Sequence, residues 1–541
     1  MRHIALSAAA ITALSLSLVP MGTASADPAQ CQAATGVIAA TANDTTVEGT
    51  AGDDVITTAG FDRVTINALA GNDVICLGDS IGPVVNAGEG DDEVNAETSA
   101  QPTVNGDAGN DTITDRTNGA AAPLLGGTLA GGDGNDTISL TSRTTVAQGN
   151  AGNDTLNVAA GVATDPAAGK YPTAQPGAGD DKVTGSGSAL LSFADSGAPV
   201  AVDLTAGKAT GDGTDTISGV AAVVGSPGAD TIVGSEVADT ITAGAGDTVD
   251  AKGGDDVITA DNAKTVDAGD GNDSLTVTSS KDVDAGDGND TVTATSSTVK
   301  GGDGNDTIDA TSSRINSGAG DDTLTLMSSD ARSRSGNDTI VATKSEFHAG
   351  NGNDTITQNG GRSDGGWGHD EINVVNYGVA HGGPKADVLR ASSDAAPEKA
   401  GTGGTRLYGD TGRDVIYVWA GAKKRNHDRV NGGPGVDKVH LGKLEGGSVV
   451  DLARGRVVLR PTAQSPKWKR VPAPDFESIE GSRYRDRLYG TSRANHIDGN
   501  KGRDVLWGRG GADRLHGGAA RDIIHGGSGW DRCTGEKRFS C

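Results

Sequence analysis

Large aromatic side chains are nearly missing from this chain: Phe, Trp and Tyr make up 3% of 541 residues, while glycine alone takes 84 positions. A thick core of big side chains is therefore excluded, and any fold must be thin. Cysteine is scarce as well. Cys31, Cys76, Cys533 and Cys541 are the only four, and none of their spacings resembles a zinc site. No His-Glu-x-x-His word occurs, which removes a zinc metalloprotease reading. Beyond the first 26 residues no apolar run is long enough to cross a membrane.

Basic residues are lacking over most of the length. The net charge is −27, but residues 401 to 541 hold 26 Lys+Arg against 16 Asp+Glu, which leaves 19 against 56 for residues 1 to 400. The first part is thus −37 and the last +10. Acidic, aromatic-poor sequence ordinarily reads as disorder, and only a regular repeat argues against it.

The start, MRHIALSAAAITALSLSLVPMGTASA, combines Arg2 and His3 with a short apolar run and Ala24-Ser25-Ala26. This pattern predicts a cleaved secretory leader over 1–26 and a secreted, extracellular protein; the stretch Ile4 to Val19 is short for a membrane anchor. An even cysteine count in an exported chain favours disulfides. Of three possible connectivities, position suggests Cys31 with Cys76 and Cys533 with Cys541.

A repeat is present. From Asp256 one aspartate recurs at Asp273, Asp290, Asp306, Asp322, Asp338, Asp354 and Asp370, by 17, 17 and then 16 residues. Asp54, Asp73, Asp92 and Asp111 step by 19, and Asp486, Asn495, Asp504, Asp513, Asp522 and Asp531 step by 9. Two residues before the aspartate stands glycine, as at Gly71, Gly134, Gly271 and Gly304, which suits a backbone of positive φ or a close-passing strand. Two residues after it stands an aliphatic residue, as at Ile56, Ile113, Val292 and Ile308, flanked by threonine in the period-two pattern of a short strand. In the sixteen-residue register a second apolar position follows at Val283, Val299, Ile315 and Phe347, and Ser363 breaks the series. Serine pairs such as Ser296-Ser297 and Ser312-Ser313 lie between the two strands.

One coil buries two or three aliphatic side chains, too few to offset an ordering cost of about 1 to 2 kcal/mol per residue. Coils must stack, which predicts an all-β parallel β-solenoid (a β-roll or β-helix) built from 9-, 16- and 19-residue repeats. Stacking also aligns the turns, so the aspartates form a column, and two unit charges about 5 Å apart repel by about 1 kcal/mol in water and about 3 kcal/mol at an effective dielectric of 20. A cation must intervene. Carboxylates and carbonyls bared by glycine turns are hard oxygen donors and point to calcium rather than magnesium or zinc. The alternative is that Asp, Asn and Gly recur merely because they make good turns.

The words GGDGNDTIS at 131–139 and GGDGNDTID at 301–309 resemble the RTX, or haemolysin-type, calcium-binding nonapeptide repeat, and the resemblance extends from about 45 to 533. It implies a right-handed parallel β-roll in which calcium ions are shared by turns of adjacent coils, through the sixth-position aspartate and nearby carbonyls. Carried over by motif, the metal-binding carboxylates are Asp54, Asp73, Asp92, Asp111, Asp136, Asp154, Asp181, Asp256, Asp273, Asp290, Asp306, Asp322, Asp338, Asp354 and Asp370, with Asp504, Asp513 and Asp522 in the terminal block. The chain departs from the pattern in two ways. Nine-residue turns on both edges occur only near 225–241 and 481–533, so elsewhere ions should line one edge. An N-terminal leader also argues against the dedicated export channel that many RTX proteins use.

The expected organisation is a leader over 1–26, a solenoid block of 19-residue coils over 27–160, a β-rich insertion over 161–225, and a solenoid of 16- to 17-residue coils over 226–400. Irregular coils with a second insertion over 401–480, a nonapeptide roll over 481–533 and a disulfide-closed tail over 534–541 follow. The insertions contain the similar stretches VDLTAGKAT and VDLARGRVV. In the terminal block arginine flanks the loop acids, as in Arg485-Asp486-Arg487, Arg503-Asp504 and Asp513-Arg514. Either these arginines neutralise the column directly, the plainer expectation, or they form a basic patch for an anionic cell-surface polymer, with nucleic acid the weaker choice. The chain is expected to be a monomer.

For catalysis, GRSDG at 361–365 matches the Gly-x-Ser-x-Gly word without a strand-to-helix elbow, and His369, His516 and His525 occupy repeat positions read as surface turns. The expected function is a secreted calcium-binding repeat protein, not an enzyme, whose ions drive folding in a structural or binding role. A polysaccharide-acting β-helix enzyme and a cell-surface adhesin are the alternatives.

Overall fold

The computed structural model describes residues 36–96, 99–115, 126–140, 145–158, 171–392, 404–418, 428–460 and 468–541. The leader and Cys31 lie outside them. The chain divides into two compact units, Met1–Asn157 and Val158–Cys541, each a parallel β-solenoid. Among the described residues there is no α-helix, only a 3-10 turn at Leu452–Arg454, and no helix long and apolar enough to cross a membrane.

In the first unit the strands after the aspartates stack in parallel, with Ile56 opposite Ile75, Ile75 opposite Val94, Val94 opposite Ile113 and Ile113 opposite Ile138. A return column aligns Val47, Ile66, Val85, Val104 and Leu129 in the same way. All of these side chains are buried. The core is one thin seam of aliphatic pairs, as the shortage of aromatics demands.

The second unit repeats the plan. Leu275, Val292, Ile308, Leu324 and Ile340 form its forward seam, and each strand turns a second, smaller residue inward as well: Val277, Ala294, Ala310, Leu326 and Ala342. The return seam runs Val283, Val299, Ile315, Ala331, Phe347 and Ser363. The break at Ser363 has a packing cause, because the ring of Phe347 fills its layer and only small residues, Ala331 and Ser363, fit directly above and below.

Two antiparallel hairpins interrupt the stacking, and they coincide with the two similar stretches. Ala201–Asp203 pairs with Lys208–Thr210, and Ser448–Asp451 pairs with Arg456–Leu459. In both, the first strand also joins a parallel ladder, with Thr231–Ser235 in one case and Arg487–Tyr489 in the other. Cys533 and Cys541 are joined in a disulfide; Cys76 is disulfide-bonded too, and its expected partner falls outside the described residues.

Ser363 of the GRSDG word is completely buried within the strand Thr355–Asp364. His516 and His525 sit on strands rather than turns, and the His525 ring lies between Trp507 and Phe539, with centroids 4.5 and 4.7 Å away.

Candidate metal centre

Each repeat aspartate is placed by the glycine turn before it and fixed by the next coil. Asp306 is typical: its N–H donates to Asp322 Oδ1 at 3.0 Å, and its own Oδ1 accepts the N–H of Asp290 at 2.9 Å. The same bond links Asp54, Asp73, Asp92, Asp111, Asp136 and Asp154 in order within the first unit. In the second unit it links Asp256, Asp273, Asp290, Asp306, Asp322, Asp338, Asp354 and Asp370, and Asp181 meets Asp215 in the same manner. Asp504 joins Asp522 on one edge of the terminal roll, while Asn495, Asp513 and Asp531 form the column of the other edge.

The ladder does not stop at Asp370. Asp387, Asp414 and Asp437 continue it at 2.9 Å per link, and Asp239 precedes Asp256. Constant spacing hides these acids, since the steps here are 17, 27 and 23 residues. The word itself betrays them, with glycine five before (Gly382, Gly409, Gly432) and an aliphatic residue two after (Leu389, Ile416, Val439).

The second carboxylate oxygen is the informative one. In Asp73, Asp92, Asp111, Asp136, Asp256, Asp273, Asp290, Asp306 and the rest of that run through Asp437, and in Asp504, Asp513, Asp522 and Asp531, Oδ2 is buried with no hydrogen-bond partner. A buried carboxylate oxygen without a partner carries a large desolvation cost. Five residues earlier stands glycine at some of these acids, such as Gly106, Gly131 and Gly301, but alanine before Asp73, Asp92, Asp256, Asp273, Asp290 and Asp354 and serine before Asp322 and Asp338. A β-carbon on Gly301 would overlap both Asp306 Oδ2 and the carbonyl oxygen of Ser317 in the next coil, and one on Gly106 would overlap Asp111 Oδ2 and the Gly131 carbonyl. At these two positions glycine lets the carboxylate oxygen lie against the turn backbone and the carbonyl of the next coil.

Among the described residues no three carboxylates, imidazoles or thiolates converge on one point. Each coil brings one carboxylate, so the remaining donors for any cation are backbone carbonyls, a set suited to a hard ion of flexible coordination. The acids are also held away from their ordinary ionisation. Burial, the largest cause, pushes Asp306 up to about 7, against the lowering effect of the Asp290 N–H and with the charges of Asp290 and Asp322 adding to the rise. The same causes raise Asp354 to about 7 and Asp387 to about 8.

Beside this column runs an exposed one. Asn305 N–H donates to Asn289 Oδ1 and Asp321 N–H to Asn305 Oδ1, which is the opposite direction along the stack. On the far edge of these coils serine takes the place of the ladder aspartate, with Asp330 and Glu346 beside it. There Ser280, Ser297, Ser313 and Ser329 are buried, and each hydroxyl accepts the N–H of its counterpart one coil earlier, as in Ser297 to Ser313 at 3.1 Å. Over these coils one edge thus receives backbone N–H groups on carboxylates and the other on serine hydroxyls.

The expectation that arginines neutralise the terminal column is corrected. Among the described residues Asp504, Asp513, Asp522 and Asp531 have no arginine within hydrogen-bond reach of the buried oxygen. The paired acid is instead Asp451, approached by Arg509 at 2.9 Å and by Arg454 and Arg456. Arg487 and Arg514 face outward at the first position of their strands, and Arg485 and Arg503 are exposed in the turns, so neighbours in sequence do not meet.

Comparison with known proteins agrees with this chemistry. The family model of the RTX calcium-binding nonapeptide repeat matches residues 40–60, 127–140, 143–162, 224–258, 400–422, 480–515 and 507–537. No curated protein sequence matches the chain. A solved structure described as a hyperactive, Ca2+-dependent, beta-helical antifreeze protein from an Antarctic bacterium is 20% identical, over 58% of this chain and 85% of that one, with a TM-score of 0.25. The chain thus carries RTX-type calcium-binding nonapeptide repeats at the matched residues, within coils stacked in parallel.

Proposed function

We propose that the protein is a secreted structural or binding solenoid whose carboxylate columns each hold a series of calcium ions, and that the ions drive its folding. The supporting observation is the buried Oδ2 without a partner in coil after coil, beside a carbonyl of the adjoining coil. Asp73 to Asp136, Asp256 to Asp437, and Asp504, Asp513, Asp522 and Asp531 of the terminal roll would supply the carboxylates, and turn carbonyls the remaining donors. Calcium would supply the positive charge that permits like charges to stack and would replace the lost hydration of each buried oxygen. The blocks expected from the repeat lengths would then be runs of one ion-binding edge, followed by a terminal roll with two.

Extracellular calcium modules work with dissociation constants of about 10⁻⁴ to 10⁻³ M. At about pH 8, where the column acids are ionised, chelator-treated protein should therefore be largely unstructured by far-UV circular dichroism and gain β-structure as calcium reaches about millimolar concentration, while magnesium leaves it unchanged. A chelated protein with full β-signal and an unaltered melting temperature at that pH would overturn the proposal.

A further inference from the structure

Not every ladder acid has an orphaned oxygen, and at most of them the residue four places earlier separates the two kinds; Asp247, which follows Ala243 and accepts the Gly244 N–H on Oδ2 at 2.6 Å, and Asp215, which follows Gly211, stand outside the rule. Asp306 follows Gly302 (φ 124°), Asp414 follows Asp410 (φ 65°), Asp504 follows Asn500 (φ 71°) and Asp513 follows Arg509 (φ 76°), and in all four Oδ2 is buried without a partner. A left-handed residue at that place recurs before the other orphaned acids, with Asp338, preceded by Arg334, the exception.

Where that residue is serine or threonine the turn differs. Ser482 is not left-handed; its N–H donates to Asp486 Oδ2 at 2.7 Å and its hydroxyl to the same oxygen at 2.9 Å, while Ser448 donates its N–H and hydroxyl to Oδ1. Asp230 is filled likewise, with Ser226 N–H on Oδ2 at 2.5 Å and Ser226 Oγ and Val200 N–H on Oδ1. Thr50 N–H donates to Asp54 Oδ2 at 2.6 Å, and Ser235 caps Asp239 Oδ2, although Asp239 Oδ1 has no partner. The fifth such turn, after Thr491, carries Asn495 in place of an acid; its Oδ1 accepts the Thr491 N–H at 2.7 Å and its Nδ2 donates to the Glu477 carbonyl. An amide, which has no charge to neutralise, thus stands at a self-capped turn.

We propose that serine or threonine at this place makes a turn that takes no calcium, and that these turns are metal-independent caps beginning each run. Their placement supports this: Asp54 begins the first unit's column, Asp230 and Asp239 follow the first hairpin, and Asp486 and Asn495 follow the second. At the hairpins the caps bind backbone N–H groups of the inserted strand, Val200 and Ser448, where no acid precedes them. The inference rests on the calcium reading above, and it removes Asp54 from the expected ion carriers.

Bound calcium can be counted on the full chain by equilibrium dialysis for wild type and for Asp486→Asn, Asp230→Asn, Asp306→Asn and Asp531→Asn, with circular dichroism confirming the fold. Asp486→Asn and Asp230→Asn should keep the wild-type count, as the natural Asn495 turn implies. Asp306→Asn, and Asp531→Asn at the end of its column should the former misfold, should lose at least one ion. Loss of an ion from folded Asp486→Asn or Asp230→Asn overturns the partition. Retention of the full count by both Asp306→Asn and Asp531→Asn would instead reject calcium at the columns themselves.

Discussion

Glycine at the turn is a steric requirement at some positions and dispensable at others. Gly304 has φ 139°, and a β-carbon there would overlap the Gly288 carbonyl of the previous coil, which is fixed backbone and cannot yield. Gly52 also stands two residues before its aspartate, yet a β-carbon on it meets nothing within 4 Å, because no described coil stacks beneath it. Gly304→Ala should lower stability by about 1 to 3 kcal/mol from backbone strain alone, and Gly52→Ala should lie within about 0.5 kcal/mol of wild type. Urea unfolding in saturating calcium would show the difference. The sequence presents the two glycines as equals; only the neighbouring coil distinguishes them.

At the level of the coil, the two edges solve one problem with different chemistry. Each bend must give its backbone N–H an acceptor on the next coil, and the charged edge uses an aspartate where the other uses a buried serine hydroxyl. Ser313→Ala leaves the Ser297 N–H buried without its acceptor and should cost about 1 to 3 kcal/mol. The loss should be equal in low and saturating calcium if the ions sit only on the aspartate edge, as proposed; a calcium-dependent loss would show that the edges are coupled. The serine pairs were legible as bends from their spacing. That the second serine of each pair turns inward follows from Ser279, Ser296, Ser312 and Ser328 adopting φ 54°, a conformation not encoded in any pattern of apolar residues. The hairpins were legible as interruptions, and their strand direction was not.

At the level of the whole molecule, the raised aspartates tie stability to pH. Asp306, Asp354 and Asp387 move from 3.8 to about 7, 7 and 8 on folding, chiefly through burial. Without metal the folded state therefore binds more protons than the unfolded chain between about pH 4 and pH 8, so stability is greatest below that window and is lost as pH rises through it. Calcium competes with those protons, so its affinity should rise over the same range and binding should release protons. Denaturation in chelator at about pH 5 and about pH 8, with calorimetry in buffers of different ionisation enthalpy, checks both signs. Greater metal-free stability at the higher pH would contradict the burial of the columns.

Sequence alone determined the class of fold and the chemistry of its edge. A period of nine to nineteen residues with one or two inward aliphatics has no stable solution except stacking, and stacking forces like residues into register whatever the details of the coil. Tertiary structure decided what depends on a neighbour's position: that Asp387, Asp414 and Asp437 extend the column across irregular loops, that terminal arginines turn away from it, and which carboxylate oxygens are capped by their own turn. These outcomes are set by φ at single residues and by contacts between coils sixteen or more residues apart, and neither leaves a periodic trace.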